Sequence, residues 1–102
     1  MNKIKRMSKE YLAWKNEVLE FYDSVCVICG SKEEINVHHI LPYQKFPQFA
    51  IHPDNGLTLC YDCHRDVHLN GRDFSSFLPD ELLKDFRDYH QSMFVNGVYS
   101  GY

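Results

Sequence analysis

The feature that most constrains this chain is a set of cysteines and histidines threaded through residues 26–68. Four cysteines form two Cys-x-x-Cys pairs, Cys26/Cys29 and Cys60/Cys63, with thirty residues between them. Each pair closes a tight knuckle whose sulfurs converge, and two knuckles complete a tetrahedron around one zinc ion. A second set is interleaved with the first: His64 and His68 follow the last knuckle, and His38-His39 lies upstream. Four thiolates close a structural zinc site. Three imidazoles (His38, His64 and His68) leave coordination positions open, and an open metal is where chemistry occurs. For the knuckles to meet, the segment from Ile35 to Leu59 must fold back as a hairpin.

Size makes the metal matter. A chain of 102 residues is one domain (1–102) near the length where a core alone is marginally sufficient. A structural zinc then contributes an apparent folding free energy on the order of 10–16 kcal/mol. The aromatic share of 15% supplies a few large side chains to fill a small core. No apolar run is long enough to span a membrane, and the basic stretch Met1 to Lys9 has no apolar segment behind it. These features predict a cytoplasmic protein without a signal peptide, a reducing setting that favours metal over disulfides. Disulfides or free thiols remain the competing use of the cysteines, and spacing alone also fits a rubredoxin-type iron site. Cys60-Tyr61-Asp62-Cys63-His64 matches a haem-attachment motif too, but that use requires export and leaves Cys26 and Cys29 unexplained.

A net charge of −3 departs from the usual basic nucleic-acid binder. The distribution softens this. Lys3, Lys5, Arg6, Lys9 and Lys15 face only Glu10 in the first fifteen residues, whereas Asp73, Asp80, Glu81, Asp85 and Asp88 outweigh Lys84 and Arg87 near the end. The acidic excess therefore need not meet a phosphate backbone; both clusters also fit solvated helix faces.

Spacing predicts an amphipathic helix over residues 8–22, capped by Ser8, with Tyr11, Trp14, Val18, Phe21 and Tyr22 on its apolar face. Residues 35–40 and 57–59 read as short strands, separated by a Pro-rich loop whose Phe46, Phe49 and Ile51 tuck against the core. A short helix follows from about Cys63 to Leu69 and stops at Asn70-Gly71. Pro79-Asp80-Glu81 opens a last helix, about 79–96, whose apolar face is Leu82, Leu83, Phe86, Tyr89, Met93 and Phe94 and which Asn96-Gly97 closes.

His64 and His68 stand four residues apart on a helix, so both rings leave one face. His38 and His39 are strand neighbours, whose side chains point to opposite faces. Either one of them enters the site or the strand bends near Leu41-Pro42. A neutral histidine beside a metal can act as general base, because its pKa lies near physiological pH. His52 and His90 lack such company and read as ordinary histidines.

At this point the chain resembles the HNH endonucleases, the zinc-stabilised ββα-metal group found in phages and bacteria. The resemblance rests on Cys26-Val-Ile-Cys29, Val37-His38-His39-Ile40-Leu41-Pro42, Asn55-Gly-Leu-Thr-Leu-Cys60, and Cys63-His64 with His68, and it covers about residues 14–71. It implies an α+β fold, a treble-clef-like ββα-metal core flanked by N- and C-terminal helices. It also implies that His39 is the general base, that His38, His64 and His68 hold a catalytic divalent ion, and that Asn55 orients the hairpin loop and the base. Many members carry aspartate at the position of His38. The candidate catalytic ions are zinc, nickel, manganese and magnesium, and an all-imidazole set suits zinc, nickel or other transition ions better than magnesium.

The implied activity is metal-dependent hydrolysis of DNA phosphodiester bonds. Arg65, Arg72 and Lys45 are candidate phosphate contacts, joined by the N-terminal basic residues. The competing class is a non-catalytic zinc adaptor that binds DNA or a protein. A phage terminase is a partner that the family's stand-alone members suggest for either class.

Overall fold

The computed structural model describes residues 8–99. Three α-helices and two short antiparallel hairpins make a small α+β fold, in the order α1 (Lys9–Phe21), β1 (Ile35–His39), β2 (Gly56–Cys60), α2 (Tyr61–Asn70), α3 (Asp80–Ser92), β3 (Phe94–Val95) and β4 (Val98–Tyr99). Single 3-10 turns at Pro47–Phe49 and Ser75–Phe77 punctuate the connections.

The centre is the β1–β2 hairpin followed directly by α2. The strands pair from Ile35↔Cys60 to His39↔Gly56, so His38 faces Leu57 in register. Every residue of β2 is buried. Leu57 and Leu59 lie in the core with Ile40, Leu41, Val67, Phe74, Leu82 and Phe86. Each such side chain contributes about 1.5–3 kcal/mol through burial.

Helix α1 starts where Ser8 accepts a hydrogen bond from the Tyr11 amide at 3.2 Å, which satisfies one of the helix's unpaired N–H groups. Its buried residues are Trp14 and Val18, which meet the hairpin, whereas Phe21 is 78% exposed and does not belong to the buried face the spacing predicts. α2 is longer than its periodicity suggests. Cys60 ends β2 and caps the helix, its sulfur accepting from the Cys63 amide at 3.5 Å. Gly71 closes α2 at φ +74°, and a side chain there would collide with the Tyr99 ring, 2.6 Å from a Cβ. The terminal hairpin thereby reaches the end of α2.

α3 buries Leu82, Phe86 and Tyr89 as its periodicity requires. It stops at Ser92, with Pro79 as N-cap rather than first residue. The expected continuation to residue 96 is wrong. Phe94–Val95 and Val98–Tyr99 form a hairpin, and Asn96 and Gly97 are its turn, at φ +53° and +79°. Two consecutive left-handed residues match the right-handed twist of a two-residue hairpin, a geometry that Asn-Gly favours. Phe94 is accordingly half-exposed rather than part of an apolar helix face.

No described helix is long and apolar enough to cross a membrane.

Candidate active site and metal centres

The first cluster is built by two knuckles at one end of the hairpin. The turn at Val25–Cys29 is clamped onto β2 from both directions: Val27 N–H donates to the Thr58 carbonyl at 3.0 Å, and the Thr58 hydroxyl donates to the Val25 carbonyl. Within the turn, Cys26 N–H donates to the Ser31 carbonyl and Gly30 N–H to the Cys26 carbonyl, both at 2.9 Å. Cys60 and Cys63 come from the β2–α2 junction. The four sulfurs lie within 4.8 Å of one another. Zn–S bonds of about 2.3 Å in a tetrahedron set sulfurs about 3.8 Å apart, and Cys29 Sγ and Cys60 Sγ are separated by 3.6 Å. The donor set fits zinc.

Charge within this cluster is uneven. Burial pushes the Cys26 thiol up, but the backbone N–H groups of Cys29, Cys60 and Ile28 and the Cys29 thiol outweigh it and bring its pKa down to about 6. Burial raises the Cys63 thiol, and the neighbouring sulfurs of Cys60, Cys26 and Cys29 raise it further. Without a cation the cluster thus favours a thiolate at Cys26 while resisting one at Cys63; a bound cation removes the repulsion and deprotonates the ligands.

The second cluster joins β1 to α2. His38 is 4% exposed and points toward the helix, its ring centroid 5.1 Å from that of His64 and 5.5 Å from that of His68. His64 Nε2 and His68 Nε2 are 2.9 Å apart, and one nitrogen from each of the three residues lies within 4.8 Å of the other two. Nitrogens bound to one tetrahedral zinc stand about 3.3 Å apart, given Zn–N bonds of about 2.0–2.1 Å. All three pKa values fall below the ordinary histidine range. Burial is the main cause for His38, which reaches about 3, with His64, His68 and His39 adding to the effect. Burial also lowers His64, helped by His68, and burial lowers His68. Neutral imidazole is the ligand form, so this cluster fits a transition ion.

His39 takes the other face of β1. Its ring stacks on Trp14 with centroids 4.3 Å apart and planes at 14°, and it lies beside Tyr11 and Tyr43. His39 Nε2 is 2.9 Å from the Ala50 carbonyl oxygen. A carbonyl only accepts, so Nε2 carries the proton and the neutral ring's lone pair resides on Nδ1. A cavity of about 450 Å³ is lined by His38, His39, His64 and His68 together with Tyr11, Tyr43 and Lys45. Its described lining includes no carboxylate.

Asn55 is completely buried. Its Oδ1 accepts from Leu41 N–H at 2.6 Å, and its amide donates to the carbonyls of Leu41 at 3.1 Å and Phe49 at 2.9 Å. From the position just before β2 it holds the start of the 41–54 loop at Leu41 and its middle at Phe49, the residue preceding Ala50, whose carbonyl meets the His39 ring.

The basic candidates divide. Lys45 lines the cavity, with its Nζ 5.8 Å from the centre of the Tyr89 ring. Arg65 and Arg72 are exposed and not among the described lining residues. Lys3, Lys5 and Arg6 lie outside the described residues. Trp14, Tyr11 and Tyr43 escaped the sequence reading as site residues; their only signal was placement on an apolar helix face or in a loop. His52 is structural, its ring meeting Glu81 at 3.1 Å and accepting from the Asp54 amide. His90 stacks on Phe86.

No curated protein and no solved structure matches the chain. The model of the HNH endonuclease family matches residues 26–69, a segment that holds both knuckles, the β1–β2 hairpin, His38, His39, Asn55, His64 and His68. That segment is similar to the HNH endonucleases.

Proposed function

We propose that this protein is a metal-dependent endonuclease that hydrolyses DNA phosphodiester bonds. The observation that carries the reading is the placement of His39. It opens on the same cavity as the three-imidazole cluster, yet it stands outside that cluster, with its tautomer set by the Ala50 carbonyl. His38, His64 and His68 would hold the catalytic divalent ion, and the cysteine cluster the structural zinc. When bound, the catalytic ion supplies a Lewis acid that offsets charge on the phosphate and on the departing 3′ oxygen.

The chain's own groups do the rest. His39 takes the proton of the attacking water at Nδ1, while its Nε2–H stays on the Ala50 carbonyl. Lys45, at the cavity wall, contacts a phosphate beside the scissile bond. Arg65 and Arg72, outside the lining, serve flanking phosphates. The expected products are a 5′-phosphate and a 3′-hydroxyl. The three imidazoles and the absence of a carboxylate from the described lining favour zinc or nickel over manganese or magnesium as the catalytic ion.

His39→Ala tests the assignment. With zinc content and fold intact, it should abolish metal-dependent nicking of supercoiled plasmid; cleavage at the parent rate would refute His39 as base. One observation favours the second reading, a non-catalytic zinc adaptor for DNA or a phage packaging protein: Lys45 is the sole cationic side chain other than histidine lining the cavity among described residues. The adaptor predicts one tightly held zinc per chain and no second divalent site at the histidines.

A further inference from the structure

The residue lying flat against His39 is outside the segment that matches the family. Trp14 sits in the middle of α1, ahead of residues 26–69. Its indole and the His39 imidazole are nearly parallel at 4.3 Å. Two further contacts fix the indole. Its Nε1–H donates to the His52 carbonyl at 2.8 Å. Its six-membered ring lies over Gly56, where an added Cβ would come within 2.7 Å of Cζ2. Gly56 is the register partner of His39, so the one strand position across from this histidine carries no side chain and the indole occupies the space.

The restraints on His39 are complementary. A hydrogen bond from Nε2 to Ala50 fixes one edge of the ring but leaves it able to tilt about that edge. A flat, anchored plate against the ring face blocks the tilt. We propose that Trp14 is a positioning residue for His39, holding the imidazole plane at the cavity wall so that its lone pair meets the substrate water. This rests on the reading of His39 as general base, and the placement itself can be tested apart from cleavage.

The competing explanation is plain core filling, since Trp14 is 3% exposed. Trp14→Phe keeps a flat face, whereas Trp14→Leu fills volume without one, so the two variants separate the explanations. The zinc-loaded parent and both variants are compared by plasmid-nicking kinetics and by NOEs from the His39 ring protons to the Tyr11 and Tyr43 rings beside it, which report the orientation of the imidazole. Trp14→Leu should lower kcat about tenfold or more with KM within about twofold, because misplacing a catalytic group costs turnover rather than binding. Trp14→Phe should stay within about threefold of the parent, in keeping with a retained face. The His39–Tyr11 and His39–Tyr43 NOEs should weaken in Trp14→Leu and persist in Trp14→Phe. Unchanged kcat in Trp14→Leu, equal losses in the two variants, or unaltered His39 NOEs in Trp14→Leu would each overturn the proposal. Should Trp14→Leu lose its zinc, Gly56→Ala replaces it, since the added methyl forces the indole off β2, and the same criteria apply. If the parent cleaves no DNA with any divalent ion, the nuclease reading has failed, and the NMR comparison alone decides whether Trp14 orients His39.

Discussion

Replacing Asn55 by alanine tests how the loop around the cavity is held. The wild-type side chain is completely buried and makes three hydrogen bonds, all to loop backbone: from Leu41 N–H, and to the carbonyls of Leu41 and Phe49. Truncation orphans the N–H and the carbonyl of Leu41, a residue closed to solvent, whereas the Phe49 carbonyl keeps the His52 N–H at 3.1 Å. Each buried group left unpaired costs about 1–3 kcal/mol, and partial relaxation of the loop toward water recovers some of it, so the net loss for the two groups is about 2–4 kcal/mol. That is a large fraction of the about 5–15 kcal/mol that holds a domain of this kind. In urea unfolding of the zinc-loaded protein the midpoint should fall by about 2 M with an unchanged slope. Asn55→Asp should lose comparable stability at neutral pH, because it keeps the acceptor for Leu41 N–H but turns a carboxylate oxygen toward two carbonyls. A midpoint within about 0.3 M of wild type for Asn55→Ala, well inside the range of neutral surface changes, would refute the argument that this side chain clips the loop.

Two more predictions follow from the clusters. Cys60→Ser keeps an oxygen to cap α2 but removes a sulfur from the zinc set, so zinc content should fall by about one equivalent relative to wild type and thermal stability should drop; full zinc content with an unchanged midpoint would show that Cys60 only caps. His38 has a pKa of about 3 in the folded chain, below its ordinary 6.5, chiefly through burial. The unfolded chain therefore binds more protons between these values, and stability is fully present above about pH 6.5 and lost as pH falls toward 3, by up to about 4–5 kcal/mol for metal-free histidines. Replacing His38 with Gln should flatten that part of the pH–stability curve in urea titrations; an unaltered slope would contradict the burial argument.

Much of the fold was legible because local chemistry and tertiary structure agree. Ser8, the Tyr11–Trp14–Val18 spacing and Gly71 mark helix ends and faces whatever packs against them. The Cys-x-x-Cys pairs and the i, i+4 histidines also work locally, since a knuckle or a helix face brings their atoms together without help. The last helix shows where this fails. Asn-Gly serves equally as a helix stop and as a hairpin turn; the β-branched and aromatic residues on both sides, Phe94-Val95 and Val98-Tyr99, were the signal that decides it. The Trp14–His39 stack was out of reach for another reason. It depends on α1 crossing β2 at a position without a side chain, Gly56, and no local pattern links residues 14, 39 and 56. Arg65 and Arg72 looked close to the histidines in sequence, but an α2 face that turns His64 and His68 inward leaves Arg65 outside.

The most direct measurement of the central claim is anomalous diffraction from crystals loaded with zinc and then with manganese or nickel. One zinc peak should lie among Cys26, Cys29, Cys60 and Cys63, and a second metal peak about 2.0–2.3 Å from nitrogens of His38, His64 and His68, with His39 beyond bonding distance. No second peak, or a second ion bound by His39, would contradict the account.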